Sequence, residues 1–524
     1  MNKARTKIKL LSVIQDIINK YPNKVALKDE VDQLTYKGLD NKAESVSDYI
    51  CKVCPDDATI LLLSRPGVLS VAFLLGIIRS RRLCVLPDIH YSERRTKEII
   101  DALNPAIIFT DKNNYDTIFD ICKRAKKHIT IIKIGQPDSM ADNKSIPDRK
   151  KSFRYPVRPS LILFTSGTTG EPKSVVHDVD NFFNACDLNL KITHKYDDRD
   201  IFCNFSRSFS TTVSLLGIFY SLLSGATMHF YYPPKSDDLF RFIFKNKVTR
   251  LIATLSIYRE FINFLANSPK FKKNNRLRAM GFGGDNYYKK DIVLFKKNAN
   301  KGCRLFITYG MTEFLMAARR VFTKNQKVEE DNQYLDVLGG VDLSIYGKDG
   351  EKILKNDTVG EIVVSSSNYS TQYLDKISNR KNEKHSKEDL RLIGGKTEFR
   401  TGDLGKWVGQ NRIVIIGRKD SIVKINGLKI SLDELNKYLL SHHKIRSCLF
   451  LAKEDEGNEK ELILYYSSAK PLGEKEIKKF LEKKFPAHAI PRKIVYLKKL
   501  PLNRHGKIDR TKLLDMKDKR NAEP

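Results

Sequence analysis

The sequence lacks two features that would define whole classes of protein. Its 524 residues contain no uninterrupted apolar run of the length that a membrane-spanning helix requires. Its eight cysteines are scattered, and the close pair Cys51 and Cys54 has no second pair and no histidines at metal-ligand spacing nearby. The N-terminal segment is basic and then amphipathic, without a long apolar stretch or a small-residue cleavage site. We therefore expect a soluble, cytoplasmic protein that does not insert into a membrane.

Acidic residues are few relative to basic ones. The chain has 94 Lys and Arg against 62 Asp and Glu, a formal net charge of +32. Such a charge could attract nucleic acid, an anionic membrane or an acidic protein. The lysines are spread along the chain, and neither a zinc finger nor an RNA-binding motif with interleaved aromatics is present. We interpret the charge as compositional bias with some electrostatic steering, and keep nucleic-acid binding as the minor alternative.

The pattern of apolar residues indicates two domains. Short β-branched runs such as ATILLL and LILFT alternate with amphipathic stretches, which predicts an α/β fold with layered, largely parallel sheets. After Gly340, short strands with turn signals indicate a more antiparallel, barrel-like part, and from about Leu432 a compact α+β pattern follows. We expect a large N-terminal domain over residues 1–419 and a small, mobile C-terminal domain over residues 420–524, because the chain is too long for one core.

A run rich in glycine and threonine, FTSGTTGEPKSVVH at residues 164–177, follows one of the apolar strands. Its glycines allow backbone N–H groups to approach phosphate oxygens, and its hydroxyl groups and Lys173 are further donors. A P-loop requires a glycine directly before the lysine, whereas this chain has Pro172, which has no N–H. The run therefore fails as a Walker motif. Taken alone, it is equally typical of a polar hairpin.

Four more motifs follow in order along the chain. They are YGMTE at 309–313, FRTGDLG at 399–405, GRKDSIVKINGLKISLDEL at 417–435 and PLNRHGKIDR at 501–510. Together with the glycine- and threonine-rich run, they resemble the signatures of the acyl-adenylate-forming (AMP-binding) superfamily. That superfamily comprises acyl- and aryl-CoA synthetases, luciferases and the adenylation domains of nonribosomal peptide synthetases. The resemblance covers nearly the whole chain and is strongest to a stand-alone adenylation domain.

The resemblance implies ATP and Mg²⁺ as cofactors and assigns roles to the motif residues. The reaction that the resemblance implies joins a carboxylate to the α-phosphate of ATP as an acyl-adenylate, releases pyrophosphate and then passes the acyl group to a thiol. Negative charge gathers at phosphorus in the first step, so positive charge and positioning are needed. Lys507, Thr312 and Glu313 would be catalytic, with Glu313 holding Mg²⁺. Tyr309 would stack on adenine, and Asp403 would accept hydrogen bonds from the ribose. The residues expected to bind ATP or AMP are Thr165, Ser166, Gly167, Thr168, Thr169, Gly170, Lys173, Gly283, Gly284, Asp285, Tyr309, Gly310, Met311, Thr312, Asp403, Arg418 and Lys507.

The resemblance also implies a second half-reaction. Asp420 matches the family's hinge, about which Lys507 would leave the site and Gly427 would approach to guide an incoming thiol. The acceptor implied is the phosphopantetheine thiol of a carrier protein, and free CoA is the alternative. A catalytically silent binder of nucleotide or nucleic acid is a second alternative, disfavoured by the intact motif residues. Ser174, Lys429 and Ser431 depart from the Gly, Arg and Glu that are usual in the family, and we still expect activity.

The substrate is expected to be a carboxylic acid other than an ordinary α-amino acid. Amino-acid-activating relatives use an aspartate to pair with the substrate's ammonium, and a gap-free alignment places Thr212 there. A buried ammonium without a carboxylate would be costly, so a fatty, aryl, hydroxy or keto acid is favoured. Arg207 could pair with a second carboxylate at the pocket mouth, or simply face solvent. The expected pocket residues are Arg207, Thr212, Val213, Leu216, Met280, Phe282, Thr308, Met316 and Ala317.

Overall fold

The computed structural model describes most of the chain. The described residues are 9–125, 129–136, 160–165, 173–193, 196–206, 208–232, 236–284, 287–326, 334–369, 371–374, 389–425, 428–454, 460–503 and 508–516. The α-helices described are α1 (Lys9–Lys20), α2 (Tyr36–Val53), α3 (Val68–Arg79), α4 (Glu93–Leu103), α5 (Tyr115–Arg124), α6 (Val179–Thr193), α7 (Thr212–Leu223), α8 (Ser236–Lys245), α9 (Leu255–Ala266), α10 (Pro269–Asn274), α11 (Lys289–Asn298), α12 (Leu432–Leu440), α13 (Glu474–Glu482) and α14 (Arg510–Leu514).

The described strands form two large sheets and two small ones. The strands described are β1 (Val25–Lys28), β2 (Gln33–Thr35), β3 (Thr59–Leu63), β4 (Leu83–Val85), β5 (Ile107–Thr110), β6 (Thr130–Lys133), β7 (Ser160–Thr165), β8 (Lys173–Asp178), β9 (Ile201–Asn204), β10 (Thr227–Phe230), β11 (Arg250–Ala253), β12 (Ala279–Gly283), β13 (Arg304–Tyr309), β14 (Ala318–Thr323), β15 (Leu335–Val337), β16 (Asp342–Tyr346), β17 (Gly360–Ser366), β18 (Thr371–Tyr373), β19 (Leu390–Ile393), β20 (Lys396–Trp407), β21 (Arg412–Arg418), β22 (Ile422–Ile425), β23 (Leu428–Ser431), β24 (Ile445–Glu454), β25 (Lys460–Ser468) and β26 (Lys493–Tyr496).

The first large sheet carries the phosphate-loop segment. Its strand order is β18–β8–β7–β4–β3–β5–β6, and β7, β4, β3, β5 and β6 run parallel. Strand β3 is buried along its whole length, as expected of an apolar strand that is covered on both faces of a parallel sheet. Strands β7 and β8 are antiparallel, so the chain reverses between Thr165 and Lys173. The segment that connects them, 166–172, lies outside the described residues.

The second large sheet joins a parallel half to an antiparallel half. Strands β1, β10, β9, β11, β12 and β13 run parallel, and the order continues through β14, β15, β21, β20, β17 and β16 in antiparallel pairs. The α/β alternation predicted for the N-terminal part and the antiparallel strands predicted after Gly340 are therefore both confirmed. The antiparallel strands extend the parallel sheet through β14 and β15.

The C-terminal part has a core of its own. Strands β24, β25 and β26 form one sheet, β22 and β23 form a hairpin, and α12 and α13 pack beside them. This arrangement matches the compact α+β pattern predicted from about Leu432. Asp433 at the start of α12 ties this part to β21, since its Oδ2 accepts from the Arg418 N–H at 3.0 Å and the Ser421 hydroxyl at 2.6 Å. Of the helices described, none combines the length and the apolar character needed to cross a lipid bilayer.

Candidate active site

The YGMTE motif forms a tight reversal at the end of β13. The backbone N–H of Met311 donates to the Phe314 carbonyl and that of Phe314 to the Met311 carbonyl, before the chain enters β14. Gly310 is required at this reversal because a Cβ there would overlap the carbonyl oxygen of Leu315. The sequence predicts a nucleotide-binding role for this segment, and the structure places it at the carboxyl end of a parallel strand, where α/β proteins bind ligands.

Tyr309, Asp403 and Arg418 form one hydrogen-bonded cluster. The Tyr309 hydroxyl donates to Asp403 Oδ2 at 2.6 Å, and Arg418 Nη1 donates to Asp403 Oδ1 at 3.0 Å. Asp403 on β20 faces Arg418 on β21 in the strand register, so the two motifs meet through sheet pairing. Burial raises the pKa of the Asp403 carboxyl, although the hydrogen bond from Tyr309 and the charge of Arg418 act in the opposite direction.

Glu313 is a buried carboxylate held by the neighbouring sheet. Its side chain accepts a hydrogen bond from the Tyr373 hydroxyl at 2.9 Å, and its backbone carbonyl accepts one from the Thr371 hydroxyl at 3.0 Å. Burial raises the pKa of the Glu313 carboxyl, and the hydrogen bond from Tyr373 and the charges of Lys173 and Arg418 oppose that shift. The pKa of Glu313 therefore responds to charges from two separate motifs.

Tyr373 connects Glu313 to the lysine of the phosphate-loop segment. Strand β18, which carries Tyr373, pairs with β8, which begins at Lys173. The Lys173 ammonium lies 5.2 Å from the centre of the Tyr373 ring and 4.0 Å from Asp389 Oδ2. The sequence analysis did not select Tyr373, because no local signal in its segment points to Glu313.

His177 is a second residue that the sequence analysis did not select. It is fully buried, its ring packs 5.2 Å from the Phe182 ring, and it interacts with the backbone of Thr312. Burial lowers the pKa of His177 to about 3, so the imidazole is neutral. This uncharged ring links β8 to the Thr312 backbone. The alternation of β8, in which Val175 and His177 share one face, is the available sequence signal for its burial.

The expected pocket residues lie on α7, β12 and β13 and in the segment before β14. Thr308 lies on β13, and Met316 and Ala317 precede β14. Met280 and Phe282 lie on β12, where the register pairs Gly283 with Thr308, so Met280 and Phe282 project from the face of the sheet opposite to Thr308. Helix α7 begins at Thr212, and its Tyr220 hydroxyl reaches Met316 Sδ at 3.3 Å. Thr212, Val213 and Thr308 are half-buried, whereas Leu216, Met280, Phe282, Met316 and Ala317 are buried.

Several expected site residues lie outside the described residues. They are Ser166, Gly167, Thr168, Thr169, Gly170, Arg207, Asp285, Gly427 and Lys507, together with the side chain of Thr165. Gly283 and Gly284 are described at the end of β12, next to β13 in the sheet.

Arg418 also reaches the expected hinge. Its Nε donates to Asp420 Oδ1 at 3.0 Å, while its Nη1 donates to Asp403. Asp420 lies in a short 3-10 turn, Lys419–Ser421, between β21 and β22. One guanidinium therefore links the Tyr309–Asp403 cluster to the turn between the two parts of the chain.

Ser174, a departure from the family pattern, has a structural partner. Its buried hydroxyl donates to the Leu374 carbonyl at 2.8 Å, directly after β18. The hydroxyl thus adds a contact between β8 and the segment that carries Tyr373.

Comparison with known protein families identifies the class of this chain. Residues 14–374 match the model of the AMP-binding enzyme family, and residues 434–507 match that of the AMP-binding enzyme C-terminal domain. The chain therefore belongs to the AMP-binding enzyme family. The motif resemblance seen in the sequence is confirmed.

Individual relatives are more distant. The chain is 25% identical to a D-alanine–D-alanyl carrier protein ligase of Lactococcus lactis, over 97% of this chain and 98% of that protein. It is 26% identical to bacitracin synthase 1 of Bacillus licheniformis over 93% of this chain, and it spans 9% of that synthase. Among solved structures, it is similar to the o-succinylbenzoate CoA synthetase of Bacillus subtilis with its acyl-adenylate, with a TM-score of 0.74 and 19% identity over 97% of this chain and 98% of that one.

The turn at Gly310 leads to a testable prediction. Gly310→Ala should lower the free energy of unfolding by about 1–3 kcal/mol, because the new methyl group must displace the Leu315 carbonyl. Urea denaturation measures this change. Gly302→Ala is the matched control, since a Cβ there meets nothing within 4 Å. Equal stability of the two variants would contradict the tight reversal.

Proposed function

We propose that the chain activates a carboxylic acid with ATP as an acyl-adenylate and then transfers the acyl group to the phosphopantetheine thiol of a carrier protein. The observation that carries the proposal is the convergence on Glu313. This buried carboxylate accepts a hydrogen bond from Tyr373 and lies in the electrostatic field of both Lys173 and Arg418. Residues from two motifs and from strand β18, all far apart in sequence, therefore act on one acidic group.

In this proposal the described residues bind and orient the nucleotide. The Asp403 carboxylate accepts hydrogen bonds from the ribose hydroxyls, while Tyr309 and Arg418 hold it in place. The Tyr309 ring is fixed by its hydroxyl and presents a face for adenine. The Lys173 ammonium binds phosphate oxygens. Because the reaction consumes ATP, we also infer a cytoplasmic location.

The carboxylate of Glu313 fits a Mg²⁺ ligand. Burial makes its ionised form costly, and a hard cation with oxygen preference would offset that cost. Bound Mg²⁺ would neutralise charge on the phosphates of ATP. Tyr373 and Thr371 orient Glu313 for this role, as outer partners of a metal ligand do.

The similarity to a carrier-protein ligase along its whole length supports a carrier as the acceptor. The similarity in fold to a CoA synthetase supports free CoA as the alternative. We infer that the boundary between residues 1–419 and 420–524 is the hinge for the second half-reaction, since Asp420 lies in the turn there and contacts Arg418. The substrate proposed is an acid without an α-ammonium, because Thr212 stands at the start of α7 where relatives have aspartate.

The adenylation step is tested by ATP–pyrophosphate exchange across a panel of amino, hydroxy, aryl, fatty and dicarboxylic acids. Lys507→Ala should reduce exchange by about 10²–10³-fold, because it removes one positive group that stabilises the transition state. Lys498→Ala, at an exposed lysine of the same C-terminal part, should keep full activity. Exchange that survives in Lys507→Ala would contradict the proposed role of this lysine.

The role of Tyr373 has its own prediction. Tyr373→Phe removes the hydroxyl that holds Glu313 but keeps the ring beside Lys173, so the Mg²⁺ concentration for half-maximal exchange should rise about tenfold. Mg²⁺-dependent nucleotide binding, followed by calorimetry, should weaken in parallel. Tyr369→Phe is the control, because that hydroxyl reaches the Met316 carbonyl and not Glu313. The same Mg²⁺ dependence in both variants would exclude this role for Tyr373.

A further inference from the structure

Two buried donors meet at one sulfur atom beneath the expected acyl pocket. The Tyr220 hydroxyl donates to Met316 Sδ at 3.3 Å, and Arg319 Nη2 approaches the same sulfur at 3.9 Å. Arg319 Nε also donates to the Thr308 hydroxyl at 3.2 Å. Thr308 and Met316 are both expected pocket residues, so Arg319 contacts the pocket wall at two points.

The strand register explains why Arg319 faces the pocket. Arg319 on β14 lies opposite Thr308 on β13, so both side chains project from the same face of the sheet. Arg320, the next residue, projects from the other face, where its guanidinium lies 3.4 Å from the centre of the Tyr334 ring. The two arginines are similarly buried, with 5% and 4% of their surface exposed, but their side chains project from opposite faces of the sheet.

The chemistry of this cluster favours a substrate oxygen. A thioether sulfur is a weak acceptor, whereas a guanidinium is permanently charged and its N–H groups match the geometry of a carboxylate. Methionine is unbranched and flexible, so the Met316 side chain can move aside for a better acceptor. On β12 the register pairs Gly283 with Thr308, so Gly281 and Gly283 share the face of Arg319 and add no charge there, whereas Met280 and Phe282 project from the other face. Arg319 therefore brings a positive charge to the face of the sheet that carries Thr308.

We propose that Arg319 determines substrate specificity and that the acid activated is a short dicarboxylic acid, whose second carboxylate binds Arg319 and Tyr220 in place of Met316 Sδ. This inference rests on the proposed adenylation function and names the substrate class of that site. We expect a short acid because the guanidinium lies next to the expected pocket. Its Nε donates directly to the hydroxyl of Thr308, which borders that pocket. The same charge disfavours an ammonium in the pocket, in agreement with Thr212 at the aspartate position.

The experiment compares matched acids that differ in the second carboxylate. ATP–pyrophosphate exchange is measured with malonate and propionate, succinate and butyrate, glutarate and valerate, and with D-alanine. In the wild type, kcat/KM for the preferred dicarboxylic acid should exceed that of its partner by at least about 100-fold. Arg319→Met should lower kcat/KM for the dicarboxylic acid by at least about 100-fold and leave that of the monocarboxylic acid unchanged or raised.

Two further variants separate recognition from stability. Arg320→Met removes a guanidinium of similar burial from the opposite face, and it should keep the wild-type ratio between the paired acids. Tyr220→Phe removes only a hydroxyl and should lower the ratio about tenfold. The wild-type ratio and Tyr220→Phe keep the proposal testable if Arg319→Met does not fold.

The outcomes distinguish this inference from the function on which it rests. Exchange with monocarboxylic acids or D-alanine as efficient as with dicarboxylic acids would overturn the inference and leave the adenylation function in place. If Arg319→Met leaves the ratio of kcat/KM between the paired acids unchanged, that result would also overturn the inference and leave the adenylation function in place. Absence of exchange with every acid in the wild type would overturn the adenylation function and this inference with it.

Discussion

The burial of the Glu313 carboxylate is the constraint on which the rest of the site depends. A carboxylate that is withdrawn from water needs donors and positive charge close by. Tyr373 on β18 supplies a donor to the carboxylate, and Lys173 and Arg418 supply the positive charge, while Thr371 donates to the Glu313 backbone carbonyl. The pairing of β18 with β8 places Tyr373 beside Lys173.

Arg418 extends the same network from the proposed nucleotide site to the proposed hinge. Its guanidinium contacts Asp403 on one side and Asp420 on the other, and its backbone N–H donates to Asp433 of the C-terminal part. New hydrogen bonds from a ligand to Asp403 would therefore compete with the hydrogen bond from Arg418. Arg418 also donates to Asp420 in the turn proposed as the hinge. The contacts give a physical route by which nucleotide occupancy could bias the position of the C-terminal part.

The sequence was sufficient for the parts of the structure that depend on local pattern. Alternating apolar runs predicted the α/β layers, and the ordered motifs predicted the family. It was insufficient where a role depends on long-range register. Tyr373 reaches Glu313 only because β18 pairs with β8, and Arg319 differs from Arg320 only in the face that strand pairing assigns to it. Neighbouring identical residues carry no sequence signal that separates a pocket position from one on the opposite face.

Two separate structural features contribute positive charge to the expected pocket. Helix α7 begins at Thr212, the position predicted from the sequence to match the aspartate of amino-acid-activating enzymes, and its N-terminal end contributes partial positive charge there. Arg319 contributes a full positive charge beside Thr308 and Met316, two of the expected pocket residues. These two features lie on different elements, yet each favours negative charge in the acyl group and disfavours an ammonium. Their agreement supports the proposed anionic substrate, because neither feature depends on the other.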